Sequence, residues 1–444
     1  MSRLVFARMS AELPFEGGED VARVPKTEAP RAVRFKRAER EQVCIELLSV
    51  DNALPQDHEA RSVLDYVNEL TLTAFYAGLG TVEGRAGRNP NDPRAMVALW
   101  LYATVDGVGS ARHLAELCEV HLAYRFLAGG LSVGYGTLAS FRRNWATELD
   151  ALLTDGVARL MKAGAVKLDA IAVDGCKIQA RASAASFRSK PTLERFKEEA
   201  AARVKTLKEE LENDPSAGRD RLKQRDLRAA ERRKKQVEEA LKKAPPAEQK
   251  KRKTKKPEEI RSSMTDPDAR KMRMGDGGYR PAYNVQFATD VDSGVIVATK
   301  VTNQGNDGGL LPAVLEQCAE RYDQTPKEVL ADGSYATKEH VAYVQKRGIA
   351  LIGPVLKDRP RDDAKRKKKS SPEFEAWRTE MATPEKKERY KRRAPTAELP
   401  HAQLRNRGMR QFRLRGFHGA AVEVCWQVLA HNYLRHRALK RPQT

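Results

Sequence analysis

The chain is poor in the residues that build staples, membrane spans and aromatic platforms. Its 444 residues hold five cysteines, at 44, 118, 176, 318 and 425. None is paired in the close spacing of a zinc ligand set or a disulfide framework, which excludes a stapled secreted scaffold and points to a reducing compartment. Aromatics make up 6% of the chain, and no apolar run reaches the length of a bilayer span. The first residues mix charged and apolar side chains and form no signal-peptide core. Acidic residues are also in the minority, 60 Asp and Glu against 81 Lys and Arg, which gives a formal net charge of +21. A field of that sign favours a polyanionic partner, and with membrane insertion excluded the expected partner is nucleic acid in the cytoplasm.

What is present divides along the chain. Residues 1–40 are a charged arm ending in a basic cluster. From 41 to 164 the apolar spacing is helical, with Asn91-Asp92-Pro93 as a helix start and Gly107-Val108-Gly109-Ser110 and Gly129-Gly130 as breaks. Arg112, Arg142 and Arg143 fall on these short helices. The pattern suits a DNA-binding domain and equally a helical bundle with ordinary surface arginines.

Residues 165–183 carry a β-branched run, Ala170-Ile171-Ala172-Val173, that ends in Asp174-Gly175. The same order recurs in Val329-Leu330-Ala331-Asp332-Gly333. Two strands that each deliver a carboxylate at a sheet rim suggest a divalent-metal site. Between them, Leu193, Phe196, Ala200, Val204, Leu207 and Leu211 step by three and four on a charged background. A turn near 213–218 follows, and Leu222, Leu227, Ala230, Val237 and Leu241 continue the pattern. This predicts a helical hairpin inserted over 184–278, closed by a basic Lys/Pro stretch at 242–257. Strand grammar resumes at 282–290 and 295–301 around an Asp/Ser/Gly turn. Asn306-Asp307-Gly308-Gly309 reads as the cap of the next helix, and a second basic loop occupies 357–370. The expected fold is α/β: an all-α N-terminal domain, then a mixed sheet with helices over 165–183 and 279–444, interrupted by the charged hairpin.

A metal site for phosphodiester chemistry needs a third carboxylate. Glu398 is the best candidate, bracketed by Pro395 and Pro400 near a helix start, with Arg405 two turns beyond it on the same face. Glu423, inside an apolar helix, is the alternative.

With these residues in view the chain resembles the DDE-type transposases of bacterial insertion sequences, in the superfamily with a Tyr-Arg-Glu-Lys signature. Tyr390, Arg393, Glu398 and Arg405 fall where the signature puts Tyr, Arg, Glu and Lys. Val173-Asp174-Gly175 with Lys177, Tyr283-Asn284, Val301-Thr302-Asn303 with Asp307, Asp332-Gly333-Ser334-Tyr335, Arg415-Gly416 and Ala430-His431-Asn432 match in order. Cys176 stands where a threonine is common, and Arg405 where lysine is usual. The resemblance implies an RNase H-like fold and an Asp174, Asp332, Glu398 site holding two Mg²⁺ or Mn²⁺ ions. It implies Arg393, Arg405, Tyr390, Lys177, Arg112, Arg142 and Arg143 on DNA. The expected partners are double-stranded transposon ends and target DNA, held by a homodimer or larger synaptic assembly near the bacterial nucleoid. Cleavage and strand transfer are the expected reaction. An inactive DNA-binding relative, or a nuclease of the same fold without strand transfer, is the alternative.

Overall fold

The computed structural model describes residues 49–79, 89–213, 221–245, 249–250, 253–254, 260–355 and 371–440. The basic arm at 1–40 and the basic loop at 357–370 lie outside them, as do Lys251, Arg252, Lys255 and Lys256 of the Lys/Pro stretch.

Among the described residues seven helices come first: α1 Glu59–Glu69, α2 Thr73–Ala77, α3 Pro93–Val105, α4 Ala111–Val120, α5 Leu122–Ala128, α6 Tyr135–Asn144 and α7 Ala146–Lys162. The α3 start is as the sequence predicts. Asp92 accepts the Arg94 N–H at 2.9 Å, and Pro93 occupies the first turn, where no N–H is needed. Gly129 ends α5 at φ +59°, a left-handed conformation open to glycine at little cost.

Strand β1 (Ala170–Gln179) follows, then β2 (Phe187–Ser189) and the two long helices α8 (Lys190–Asn213) and α9 (Arg221–Lys242). Short strands β3 (Gln249–Lys250), β4 (Lys253–Thr254) and β5 (Arg261–Ser263) come next, with β5 antiparallel to β2 at the root of the hairpin. The main sheet resumes at β6 (Arg270–Arg273) and continues with β7 (Tyr279–Asp290) and β8 (Ile296–Thr302). Then come α10 (Leu311–Tyr322), β9 (Glu328–Ala331), α11 (Lys338–Gln345), β10 (Ala350–Ile352), α12 (Pro372–Met381), α13 (Pro384–Lys391), α14 (Arg393–Asn406) and α15 (Gly416–Lys440).

The sheet runs β10-β9-β1-β7, with the far edge of β7 shared by β6 and β8. β1 pairs with β7 antiparallel and with β9 in parallel, and β9 pairs with β10 in parallel. This is the mixed order of an RNase H-like fold. The sheet resumes nine residues before the boundary expected at 279, because Arg270-Lys271-Met272-Arg273 pairs with β7 although it lacks apolar alternation. Only Met272 of the four is buried.

One hydrophobic core joins the N-terminal helices to the sheet. Trp100, Leu114, Leu138 and Leu149 lie in the same cluster as Cys176, Tyr283, Phe287 and, from α15, Val424, Trp426 and Tyr433. Helix α15 is apolar on nearly all sides because it is buried between α3, α7 and β8. The hairpin has its own small core of Leu193, Val237 and Ala240. Among the described residues no helix is long and apolar enough to cross a membrane.

Candidate active site

The parallel register places two aspartates side by side, although Asp174 lies inside β1, which runs on to Gln179 against β7, and not at the strand end that the sequence suggests. Val173 pairs with Ala331, the last step of the β1–β9 ladder, so Asp174 and Asp332 are the next residues on adjacent strands. Ala170 through Val173 and Val329 through Ala331 are fully buried, which fixes both strands and leaves the carboxylates at the rim. Asp332 is held by the turn that follows it: its Oδ1 accepts the Ser334 N–H at 2.8 Å and the Ser334 hydroxyl at 2.6 Å. Asp174 Oδ1 accepts the Gly175 N–H at 2.9 Å.

Helix α14 supplies the other wall. Arg393 Nη2 lies 3.0 Å from Asp174 Oδ2, and His401 Nδ1 lies 3.9 Å from the same oxygen. Burial pushes the Asp174 carboxyl up to about 6; the Arg393 charge opposes that shift, and the charges of Asp332 and Asp307 add to it. His401 is driven down to about 4 by burial and by the nearby Arg405 and Arg393, so it is neutral at physiological pH. Arg393 Nε and His401 Nε2 are buried without a hydrogen-bond partner among the described residues. Tyr390, half-buried, feels the charges of Arg393, Asp332 and Asp174.

A polar chain lies behind the rim. Asp307 Oδ1 accepts from Asn284 Nδ2 and Gln286 Nε2, both at 2.7 Å, and Gln286 Oε1 accepts from the Tyr335 hydroxyl. Gly175 makes this possible: a Cβ there would collide with the Asp307 carboxylate and the Gln286 amide. Tyr335 is wholly buried, and burial together with three nearby aspartates holds its hydroxyl firmly protonated, as a donor. Sequence reasoning took Asp307 for a helix cap. Helix α10 has no side-chain cap, and Asp307 answers the strand amides instead, because these buried donors on β7 need an acceptor. The signal was available in the polar positions Asn284 and Gln286 of an otherwise apolar strand.

Glu398 stands apart from this cluster. It is exposed, with no hydrogen bond or ion pair among the described residues. Helix α14 begins at Arg393 rather than near Glu398 and runs through Pro400, whose ring is buried. Arg393, Ala397 and His401 form the row, four residues apart, that faces the sheet, and Glu398 lies about 100° further round the helix. Among the described residues no three His, Cys, Asp or Glu side chains are arranged to hold a metal ion. The donors that do converge, Asp174 and Asp332, are hard oxygens, which suits Mg²⁺, an ion that takes one or two carboxylates and keeps water and substrate phosphate as its other ligands.

The expected DNA-facing residues are divided. Arg405 lies close enough to Cys176, two residues along β1 from Asp174, for its charge to bear on the thiol. Lys177 is half-buried on β1, opposite Asn284. Arg112 is exposed over the Tyr135 ring, 5.3 Å from its centroid, and Arg143 is exposed at the end of α6. Arg142 is not a surface residue. Its Nη1 donates to the Gly109 carbonyl at 2.6 Å, its guanidinium lies 4.7 Å over the Trp100 ring, and its charge meets Glu423. Glu423 accepts the Arg413 N–H at 2.9 Å and the Leu414 N–H, which occupies the alternative carboxylate with a structural role.

Residues 251–433 match the family described as Transposase DDE domain. Residues 48–144 match Transposase domain (DUF772), over the N-terminal helices. The first match covers Asp307, Asp332, Arg393 and Glu398, while Asp174 lies upstream of it. No curated protein and no solved structure matches. Two transposase domains in order along one chain, the second on an RNase H-like sheet with paired rim aspartates, place the protein in the DDE-type transposases of insertion sequences, with an N-terminal transposase domain.

Proposed function

We propose that the protein binds the terminal inverted repeats of its element and catalyses metal-dependent cleavage and strand transfer at Asp174 and Asp332, with Glu398 as the third carboxylate on the strength of the resemblance. The family generally uses divalent metal ions and acts on DNA. The observation that carries the reading is the adjacency of Asp174 and Asp332 where the parallel β1–β9 ladder ends.

Asp174 and Asp332 would hold the metal. Mg²⁺ or Mn²⁺, as one ion or a pair, supplies Lewis-acid stabilisation of the attacking and leaving oxygens of a phosphodiester. The chain's own contribution is positioning. Ser334 fixes Asp332 through Oδ1, and its Oδ2 is without a hydrogen bond among the described residues. Arg393 orients Asp174 and offsets the repulsion between the two carboxylates, and Arg393 and Arg405 are placed to neutralise phosphate charge. Neutral His401 fills the space beside Asp174 without adding a positive charge at physiological pH.

The test is cleavage of DNA bearing the element's own ends. Asp174→Asn and Asp332→Asn should abolish Mg²⁺-dependent cleavage while terminal-DNA binding persists; full cleavage by either variant sinks the assignment. A second reading, a DNA-binding relative that does not cut, is favoured by the position of Glu398. Wild-type protein that binds terminal DNA but leaves it intact with Mg²⁺ and with Mn²⁺ would establish it, and Glu398→Gln retaining full cleavage would remove Glu398 from the site.

A further inference from the structure

We infer that helix α9 of the inserted hairpin is a second DNA-contacting surface, which grips the duplex backbone through one stripe of cations without reading sequence. This rests on the reading of DNA as substrate and extends it to a segment remote from the carboxylates.

The two helices of the hairpin treat charge differently. Helix α8 carries six Lys and Arg against six Asp and Glu, and pairs them along its own surface: Lys190 with Glu194 at 3.9 Å, Arg195 with Glu199 at 3.3 Å, Lys205 with Glu209 at 3.8 Å. Spaced four residues apart with opposite sign, these pairs neutralise one another. Helix α9 carries nine Lys and Arg against four Asp and Glu. Five of the nine, Arg221, Arg225, Arg228, Arg232 and Lys235, recur at intervals of four, three, four and three residues, so they fall on one side of the helix. All five are exposed, and together they line an open furrow along α9. Among the described residues only Arg225 of the five meets a carboxylate, its neighbour Asp226 at 3.5 Å.

Packing does not explain the stripe. The side chains the hairpin buries are Leu193, Ala200, Val204 and Leu207 on α8 and Val237 and Ala240 on α9. The stripe therefore concentrates like charge on a face that folding leaves to solvent, at the cost of self-repulsion, which a polyanion would relieve. Its length fits a duplex. The fourteen residue steps from Arg221 to Lys235 span about 21 Å. The same length of duplex axis carries about six phosphates on each strand, enough to meet every cation of the stripe. Arginine suits this because its forked donors match phosphate oxygens. Gln224 and Glu231 share the furrow, but the five cations outnumber them, so the contact offered is chiefly to the backbone.

The experiment measures full-chain protein binding to two labelled duplexes by fluorescence anisotropy over a range of salt. One duplex carries the element's terminal repeat and the other an unrelated sequence. The stripe variant is Arg225→Ala/Arg228→Ala/Arg232→Ala, exposed changes that raise helix propensity. The control, Lys190→Ala/Arg195→Ala/Lys205→Ala, removes the same charge from paired positions on α8. The stripe variant should flatten the plot of log affinity against log salt by about three on both duplexes, near 0.9 for each lost phosphate contact. The control should leave the slope close to wild type. An unchanged slope in the stripe variant overturns the inference, and so does an equal fall in both variants, which would reflect net charge alone. A change confined to the terminal repeat overturns the claim of sequence-independent grip. Failure of the wild type to cleave its terminal DNA counts against the proposed reaction and leaves the slope comparison intact.

Discussion

Arg393 and Asp174 form the ion pair on which the candidate site turns, Nη2 to Oδ2 at 3.0 Å, with side chains only 14% and 18% exposed. Arg393 comes from α14 and Asp174 from β1, so this contact joins the C-terminal part of the chain to the first strand of the sheet. It works against the other forces on Asp174. Burial, Asp332 and Asp307 all favour the protonated carboxyl, and Arg393 is the largest influence on the other side. Replacing Arg393 with Gln should raise the Asp174 pKa above its wild-type value of about 6, while Asp332→Asn should lower it. Carboxyl NMR titration in metal-free buffer reads both shifts, and opposite signs are required.

The same raised pKa makes stability depend on pH. A carboxyl that sits near 3.9 in the unfolded chain and near 6 in the folded one binds its proton more tightly when folded. Its contribution is therefore present below about pH 4 and lost as pH rises through about 6. The slope is at most about 1.4 kcal/mol per pH unit for one proton. Urea unfolding of wild type and Asp174→Asn should differ by such a slope between pH 4 and 6 and run parallel above it. Parallel curves throughout would mean that Asp174 titrates normally.

Gly175 tests the polar chain behind the rim. Its missing Cβ lets the Asp307 carboxylate and the Gln286 amide lie against β1, with the amide nitrogen 2.6 Å from where a Cβ would stand. Both groups are tied into the sheet, so neither is a free side-chain end that can swing aside. Gly175→Ala should cost about 1–3 kcal/mol by overpacking. Cleavage should fall further than thermal stability predicts, because the displaced residues support Tyr335, three positions after Asp332. An alanine variant with wild-type melting temperature and activity would show that the gap closes harmlessly.

Much of the sheet was legible because buried strands declare themselves. Ala170-Ile171-Ala172-Val173 and Val329-Leu330-Ala331 are apolar runs ended by Asp-Gly, and the structure sets them in adjacent parallel register. Strand β6 was not legible: it is a short edge strand, Arg270-Lys271-Met272-Arg273, specified by its ladder to β7 rather than by its side chains. The α14 register was lost at Pro400. A proline inside a helix reads as a boundary, yet here the helix continues through it, which brings Arg393, Ala397 and His401 onto the sheet-facing row. His401 was missed for that reason, since its place beside Asp174 appears only when the helix is known to start at Arg393. The burial of Arg142 was hidden for another reason. Its partners Glu423, Trp100 and Gly109 are far from it in sequence, and nothing local distinguishes it from Arg143.

Arg142 and Arg143 separate a structural cation from a surface one. Arg142 is packed on Trp100, bonds Gly109 and faces buried Glu423, while burial pulls its pKa below that of an ordinary arginine. Arg143, the next residue, is exposed. Arg142→Ala leaves the Gly109 carbonyl without its donor and Glu423 with Arg413 as its remaining opposing charge, a loss of about 1–3 kcal/mol for buried groups deprived of a partner. The expected signature is a lower denaturation midpoint with an unchanged salt slope of DNA binding, measured where the variant is fully folded. If Arg143 touches phosphate, Arg143→Ala should do the reverse: stability within about 0.5 kcal/mol of wild type and a salt slope reduced by about one. A reduced salt slope in folded Arg142→Ala would put its guanidinium on DNA, against its packing over the Trp100 ring.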